Sequence, residues 1–312
     1  IKENKEEQRQ ALSELNEEAN TAYSEAADAI DEEVASIKKL KEELDSNNLT
    51  QAEAVNVKEQ LLTIQEDLIK TYGSEAEGID LVNGKLDEEI KKVEELKKAQ
   101  AKKYLTDNAS NIAEAQNYVT VTTNMFGANN IGVSGDNEKF IDDLLNKGSW
   151  EFDINNSRTY SEWFYNQIAA RIDELNEAYN KALNDGDTKA AQKHKKQLDE
   201  LTTYGADIKK QAEEDVETFN NTVDAYIVTN DKLNEAFKKL QDGEISGESL
   251  GDAWDELERM KSEGLISADW ADSVYEYLRE MYHKNWEVIA EENEKAAQDS
   301  LDDYQKGALG RI

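Results

Sequence analysis

The chain has 312 residues, and its 69 Asp and Glu against 36 Lys and Arg give a formal net charge of −33. This charge argues against DNA, RNA or an anionic membrane as a partner, because each requires a cationic face. The chain has no cysteine, which excludes disulfides and thiolate chemistry. No apolar run approaches the ~18 residues of a membrane span. We therefore expect the partners to be other protein chains.

The N-terminal stretch is charged and lacks the apolar segment of a signal peptide. It starts at Ile1 rather than at a methionine, so we expect a cleaved product or a piece of a longer chain. The complete absence of proline favours long uninterrupted helices, because proline breaks helix interiors.

Residues 1–45 are predicted to form one long helix, because an apolar residue recurs about every 3.6 positions. The apolar positions are Leu12, Leu15, Ala19, Tyr23, Ala26, Ile30, Val34, Ile37, Leu40 and Leu44. Thr50 and Glu53 then match the capping box that opens a helix, and Gly73 matches a helix stop.

A third helix is predicted from Ile79 towards Leu105 or on to Asn117. Because short connections make neighbouring helices antiparallel, residues 1–117 are expected to form a long helical hairpin or coiled-coil region.

The pattern changes in residues 118–156, which we interpret as an irregular hinge region. Residues 118–123 have β-propensity and are followed by Gly and Asn, so residues 118–135 are either a short β-hairpin or an ordered loop. A short helix is predicted within residues 138–146.

Residues 157–312 are predicted to form a helical bundle. Helical patterns cover residues 157–184 and 188–240, with Gly205 and Thr229 as candidate kinks or interruptions. Two copies of a Gly-x-Ile-Ser pattern follow, at Gly243 and Gly264, and each predicts a helix stop and a new start. The last helix is predicted from Ser267 to Tyr304, with apolar stripes over about half of its circumference. The predicted fold class is thus all-α.

Three tryptophans of the last region are candidate partner-binding residues, namely Trp254, Trp270 and Trp286. The alternative is that they belong to the core of the bundle, and alanine substitution distinguishes the two. Loss of a core residue lowers stability, whereas loss of a hot-spot residue lowers affinity with the melting temperature unchanged.

The sequence contains no recognisable catalytic or metal-binding pattern. Its two histidines, His194 and His283, are interpreted as packing or surface residues, and no third histidine is present for a zinc site. A calcium loop starting at Asp242 would have Ala253 where the bidentate carboxylate is required. We therefore expect no metal, no cofactor and no enzymatic activity.

Residues 49–53 (LTQAE) and 72–86 (YGSEAEGIDLVNGKL) resemble the helical segments of phage and prophage tail tape measure proteins. The similarity covers roughly residues 40–105. It implies a long helical structural chain that runs inside the tail tube, sets its length and leaves during DNA ejection, without catalytic residues. Members of the family usually include apolar segments able to meet a membrane, and this sequence contains none.

The resulting hypothesis is a structural component of a phage-type tail that acts through helix length and self-association. It would lie in the virion tail, or in the host cytoplasm during assembly. One alternative is an adhesin-like helical-bundle protein, secreted or on a bacterial surface. A weaker alternative is an α-helical pore-forming toxin that inserts residues 118–135.

Overall fold

A computed structural model describes residues 2–46, 49–116, 132–151, 157–241, 247–266, 268 and 270–284. No β-strand occurs in these ranges, and the all-α prediction is confirmed. The helices are α1 (Lys2–Asp45), α2 (Gln51–Tyr72), α3 (Leu86–Asp107), α4 (Ala109–Gln116), α5 (Asp136–Glu151), α6 (Tyr160–Asn184), α7 (Thr188–Thr229), α8 (Asp231–Gln241), α9 (Gly247–Ser262) and α10 (270–284). A 3₁₀ turn, Gly73–Glu75, follows α2.

Contacts divide the chain into two compact units, residues 1–225 and 226–312. This boundary differs from the predicted division into 1–117, 118–156 and 157–312, which stays a prediction. The predicted hairpin or loop falls largely on residues 117–131, outside the described part of the chain.

In the first unit, α1 packs most extensively against α3, and the two helices are antiparallel. Asp31 pairs with Lys97 at 2.8 Å and Lys41 pairs with Asp87 at 3.1 Å, so the α3 numbers fall as the α1 numbers rise. The buried α1 positions are Asn20, Tyr23, Ala27, Ile30, Val34 and Ile37. Their spacing alternates between three and four residues, which keeps one face of a helix against its neighbours.

Two apolar cores stabilise the first unit. The larger core joins α1, α2, α3 and the segment between α2 and α3, with Ile30, Ile37, Leu61, Leu81 and Val93 fully enclosed. The second core joins α5, α6 and α7, with Ile141, Phe164, Ile168 and Leu201 fully enclosed.

The segment before α3 corrects the prediction of a helix from Ile79. The Asp80 carboxylate accepts the Asn83 N–H at 2.9 Å, and the Glu89 carboxylate accepts the Asp80 N–H at 2.7 Å. A Cβ at Gly84 would overlap the Asp80 carbonyl oxygen, so this tight turn requires glycine. These local hydrogen bonds compete with helix formation and delay α3 to Leu86.

Most of the predicted helix starts and stops are observed. Thr50 and Glu53 form the capping box, and Gly73 ends α2 at φ 58°. Gly264 follows α9 at φ 71°, with the Leu265 N–H donating to the Met260 carbonyl at 2.9 Å. α7 ends at Thr229, but it runs through Gly205 without interruption.

The predicted apolar face at the start of α1 is wrong at Leu15, whereas Tyr23 is buried as predicted. Leu15 is 60% exposed, whereas Asn20, which the apolar pattern passed over, is fully buried. The described side chains of this stretch that contact another helix are mainly polar. A pattern of apolar residues does not reveal such a face.

In the second unit, α10 buries Ala271, Val274 and Leu278 completely, as its apolar stripe predicts. The rest of the predicted helix, from residue 285 onwards, and Ser246 and Ser267, two predicted N-caps, lie outside the described residues.

Candidate functional site

A buried polar centre lies where α1, α3 and α7 meet. The Asn20 side-chain amide donates to the Thr218 hydroxyl at 2.8 Å, and the Tyr104 hydroxyl donates to Asn20 Oδ1 at 2.7 Å. The Asn221 amide donates to the Asn20 backbone carbonyl at 3.1 Å. Asn20 and Thr218 are completely buried and Tyr104 is 4% exposed. The three helices are therefore joined through matched donors and acceptors rather than through apolar contact alone.

The polar centre fixes α1 parallel to α7. Ser13 bonds to Glu214, Asn20 to Thr218, and Tyr23 to Asp224, so the residue numbers of the two helices rise together. A shift of one helix along the other would leave several buried polar groups without partners, which costs more than the bonds themselves contribute. This arrangement specifies one register of α1 on α7.

Aromatic and charged groups extend the centre on one side. The rings of Tyr23 and Tyr104 stack with centroids 4.6 Å apart, and the Tyr23 hydroxyl donates to Asp224 at 2.6 Å. Burial, together with the Asp224 carboxylate, raises the pKa of Tyr23, and burial raises the pKa of Tyr104 to about 12. Both tyrosines therefore remain neutral donors at neutral pH. Burial opposes the charge of the nearby Lys97, but Asp224 and Asp31 raise its pKa.

Two adjacent carboxylates of α7 extend the centre on the other side. Glu214 accepts from the Ser13 hydroxyl at 2.8 Å and lies 3.3 Å from the Lys210 ammonium. Asp215 is 4% exposed and accepts from Ser161 of α6 at 2.5 Å and from Gln211 at 2.7 Å. Burial raises the pKa of Asp215 to about 6, although these two hydrogen bonds favour its charged form.

A separate polar cluster lies in the second unit. The Asn230 side-chain oxygen accepts the Leu233 N–H at 3.1 Å and so caps α8, while its amide donates to Glu256 at 2.9 Å. Glu256 is 3% exposed and also pairs with Arg259 and Lys232. Hydrogen bonding from Arg259, supported by Asn230 and Lys232, lowers the pKa of Glu256 to about 2. This cluster holds α8 and α9 together through a buried charge that is fully paired.

The tryptophans predicted as partner-binding residues are not brought together into one surface in the described part of the chain. Trp270 is 4% exposed, with its ring centroid 6.0 Å from that of Tyr226, which is a core position. Trp254 is half-buried and packs edge-on against Tyr275 at 4.6 Å. Trp286 lies outside the described residues. Partner binding through these residues stays a prediction.

The described residues contain no group of three His, Cys, Asp or Glu side chains arranged to hold a metal ion. His194 is half-buried on α7 and His283 is exposed on α10. Residues 242–246, which include most of the ligand positions considered for a calcium loop, lie outside the described part. Within that part, no helix is long and apolar enough to cross a lipid bilayer.

Sequence reasoning missed the polar centre, although one signal was present. Ser13, Asn16 and Asn20 precede Tyr23 at spacings of three and four residues, which continues the buried face of α1 as a polar stripe. A polar stripe at this spacing predicts that the buried face of α1 packs against polar residues of another helix. The sequence gives no signal that this helix is α7, about two hundred residues away.

Comparisons with known protein families, with curated proteins and with solved structures found no match.

Proposed function

We propose that this chain is a structural, non-enzymatic protein that acts through the length and association of its helices, as the resemblance to tail tape measure proteins implies. The observation that carries the proposal is the pairing of α1, with 44 residues, and α7, with 42 residues, in a register specified by buried hydrogen bonds. A protein that determines a distance requires long helices of defined register.

The proposal includes the arrangement of the helices as a coiled coil or as helical hairpins. The alternation of three and four residues between buried α1 positions is the repeat that places one helix face against its neighbours in a coiled coil. The antiparallel pairing of α1 with α3, and of α1 with α2 through the Tyr72 hydroxyl and the Ala26 carbonyl, is consistent with helical hairpins. We place the protein in a virion tail, or in the host cytoplasm during assembly.

The test is to measure tail length in particles from the source of the gene. Deleting the second unit, residues 226–312, should shorten the tails, because a length-setting chain gives a shorter tail when part of it is removed. Duplicating the same segment should lengthen the tails by a similar distance. Electron micrographs of purified particles give both lengths.

Immunoblots of the same particles supply the control, because the deleted and duplicated chains must be present in the tail fraction. Tails of unchanged length that contain both altered chains would contradict the length-setting role. Absence of the unaltered chain from tails would contradict the whole proposal.

A further inference from the structure

We propose that a second copy of this chain docks on the outer face of α2, with the two α2 helices antiparallel and the two-fold axis of the pair beside Leu62. The outer face is the surface formed by Val55, Lys58, Leu62, Glu66 and Ile69. This inference rests on the association of helices proposed above, and it names the surface and the partner of that association.

An apolar stripe runs along the outer face of α2. Val55, Leu62 and Ile69 follow one another at intervals of seven residues, which places them nearly in line along a helix. Val55 is 51% exposed, Leu62 is 42% exposed, and Ile69 is half-buried at the edge of the core. The helix buries a different line of residues in the core of the first unit. The stripe is therefore a second apolar line, with two large side chains in contact with solvent.

Two opposite charges border the stripe. Lys58 precedes Leu62 by four residues, and Glu66 follows Leu62 by four residues. Both side chains are exposed, and neither has a hydrogen bond or an ion pair within the described part of the chain. They are too far apart to pair with each other, because pairs within a helix require a spacing of three or four residues. Both charges are therefore available to a partner.

The outer face is complementary to itself when it is turned about Leu62. In an antiparallel pair with Leu62 beside Leu62 of the second copy, Val55 lies level with Ile69 of the second copy, and Lys58 lies level with Glu66. Each contact occurs twice, apolar against apolar and positive against negative, as a two-fold interface requires. A parallel pair would instead place Lys58 beside Lys58 and Glu66 beside Glu66, so that like charges repel. The charges thus favour the antiparallel arrangement.

The contact between two copies of one helix is small. Stable interfaces bury about 1,200–2,000 Å², which a single pair of short helices does not reach. Each copy also has a net charge of −33, whose repulsion salt screens over about 8 Å at about 0.15 M. We therefore expect a weak dimer in solution, and tighter association where many copies are held together.

Disulfide cross-linking of the full chain tests the alignment, because the natural chain contains no cysteine. Leu62→Cys should give covalent dimers under mild oxidation, since the two thiols meet at the two-fold axis. Val55→Cys alone should not, because its two copies would lie about 21 Å apart along the helices. A mixture of Val55→Cys and Ile69→Cys should cross-link. Leu183→Cys, at a leucine of α6 that is 52% exposed, is the control for random collision.

Sedimentation equilibrium at about 0.15 M NaCl measures the strength of the dimer without cysteine. Leu62→Glu should raise the dissociation constant at least about tenfold, because two carboxylates would meet at the axis. Leu183→Glu, the same change on α6, should leave it unchanged. Lys58→Glu and Glu66→Lys should each weaken the dimer, and an equimolar mixture of these two variants should restore it, because opposite charges then face each other again. Circular dichroism verifies that each variant is folded.

Leu62→Cys that cross-links no faster than Leu183→Cys would overturn the proposal, as would a dissociation constant that Leu62→Glu does not change. Equally rapid cross-linking of Val55→Cys alone would overturn the antiparallel alignment. All of these measurements use the purified chain. Tails of unchanged length after deletion of residues 226–312 would therefore contradict the tail role without bearing on the α2 dimer.

Discussion

At the scale of single residues, the first unit depends on buried polar groups that have partners on other helices. Asn20 bonds to side chains of both α3 and α7, and no water is needed to satisfy Tyr104 or Thr218. Buried polar networks of this kind contribute modestly when complete and cost much when one member is removed.

Asn20→Ala should lower the free energy of unfolding by about 2 kcal/mol, because the buried Tyr104 and Thr218 hydroxyls each lose a partner. Urea denaturation followed by circular dichroism measures the change. Thr21→Ala, at an exposed position of the same helix, is the control and should have little effect. A double-mutant cycle with Tyr104→Phe should show coupling, and strict additivity would contradict the network.

Glu256→Gln should destabilise the second unit at pH 7 and have much less effect near pH 2. The pKa of Glu256 is lowered to about 2 from an ordinary 4.5, so its contribution is present above pH 4.5 and is lost as the pH falls towards 2. Urea midpoints at the two pH values check this. Glu258→Gln, on the same helix but with its side chain 39% exposed, is the matched control. Equal losses at both pH values would contradict the assignment.

At the scale of elements, the helix ends are set by local chemistry. Thr50 accepts the Glu53 N–H at 3.3 Å and the Glu53 carboxylate accepts the Thr50 N–H at 2.7 Å, which satisfies two donors at the start of α2. The close approach of α6 and α7 is set differently, by the missing side chain at Gly205. A Cβ there would lie 3.1 Å from Ile168 Cγ2.

Thr50→Ala should lower the free energy of unfolding of the first unit by about 1 kcal/mol, the usual cost of a lost N-cap side chain. Thr63→Ala is the control, because it makes the same change at an exposed interior position of α2, where the Thr63 hydroxyl donates only to the Glu59 carbonyl. Thr63→Ala should be neutral or slightly stabilising. Chemical denaturation that ranks the two variants in the opposite order would contradict the cap.

Gly251→Ala should stabilise α9 by about 1 kcal/mol, because alanine is the better helix former and its Cβ would meet no atom within 4 Å. Gly205→Ala should lose part or all of that gain, because its Cβ presses on Ile168. Thermal and urea denaturation of both variants give the comparison. An equal stabilisation by both would show that α6 and α7 do not approach as closely as described.

At the scale of the whole molecule, the formal net charge of −33 determines how stability depends on salt and pH. Carboxylates repel one another at neutral pH, and dissolved salt screens exposed charges over about 10 Å at 0.1 M. The ion pairs between α1 and α3 lie partly at the surface and compensate only a small part of this repulsion.

Raising NaCl from 0.05 to 0.5 M should therefore increase the melting temperature at pH 7, and the increase should be smaller at pH 5, where more carboxyl groups are protonated. Differential scanning calorimetry measures both. Sodium sulfate at matched ionic strength is a useful comparison, since an effect specific to sulfate would indicate salting-out rather than screening. A melting temperature that falls with NaCl would contradict dominant carboxylate repulsion.

The sequence by itself determined the helical class and most helix ends, because each depends on interactions within a few residues. The capping box at Thr50, the stops at Gly73 and Gly264, and the buried stripe of Ala271, Val274 and Leu278 all follow from local spacing.

Only the tertiary structure decided which face of α1 is buried near Asn20 and which helix covers it. Polar side chains there are compatible with solvent until a partner with matching donors and acceptors is present, and that partner comes from α7. Pairing between such distant segments depends on how the apolar cores position the helices, which periodicity along one helix does not encode.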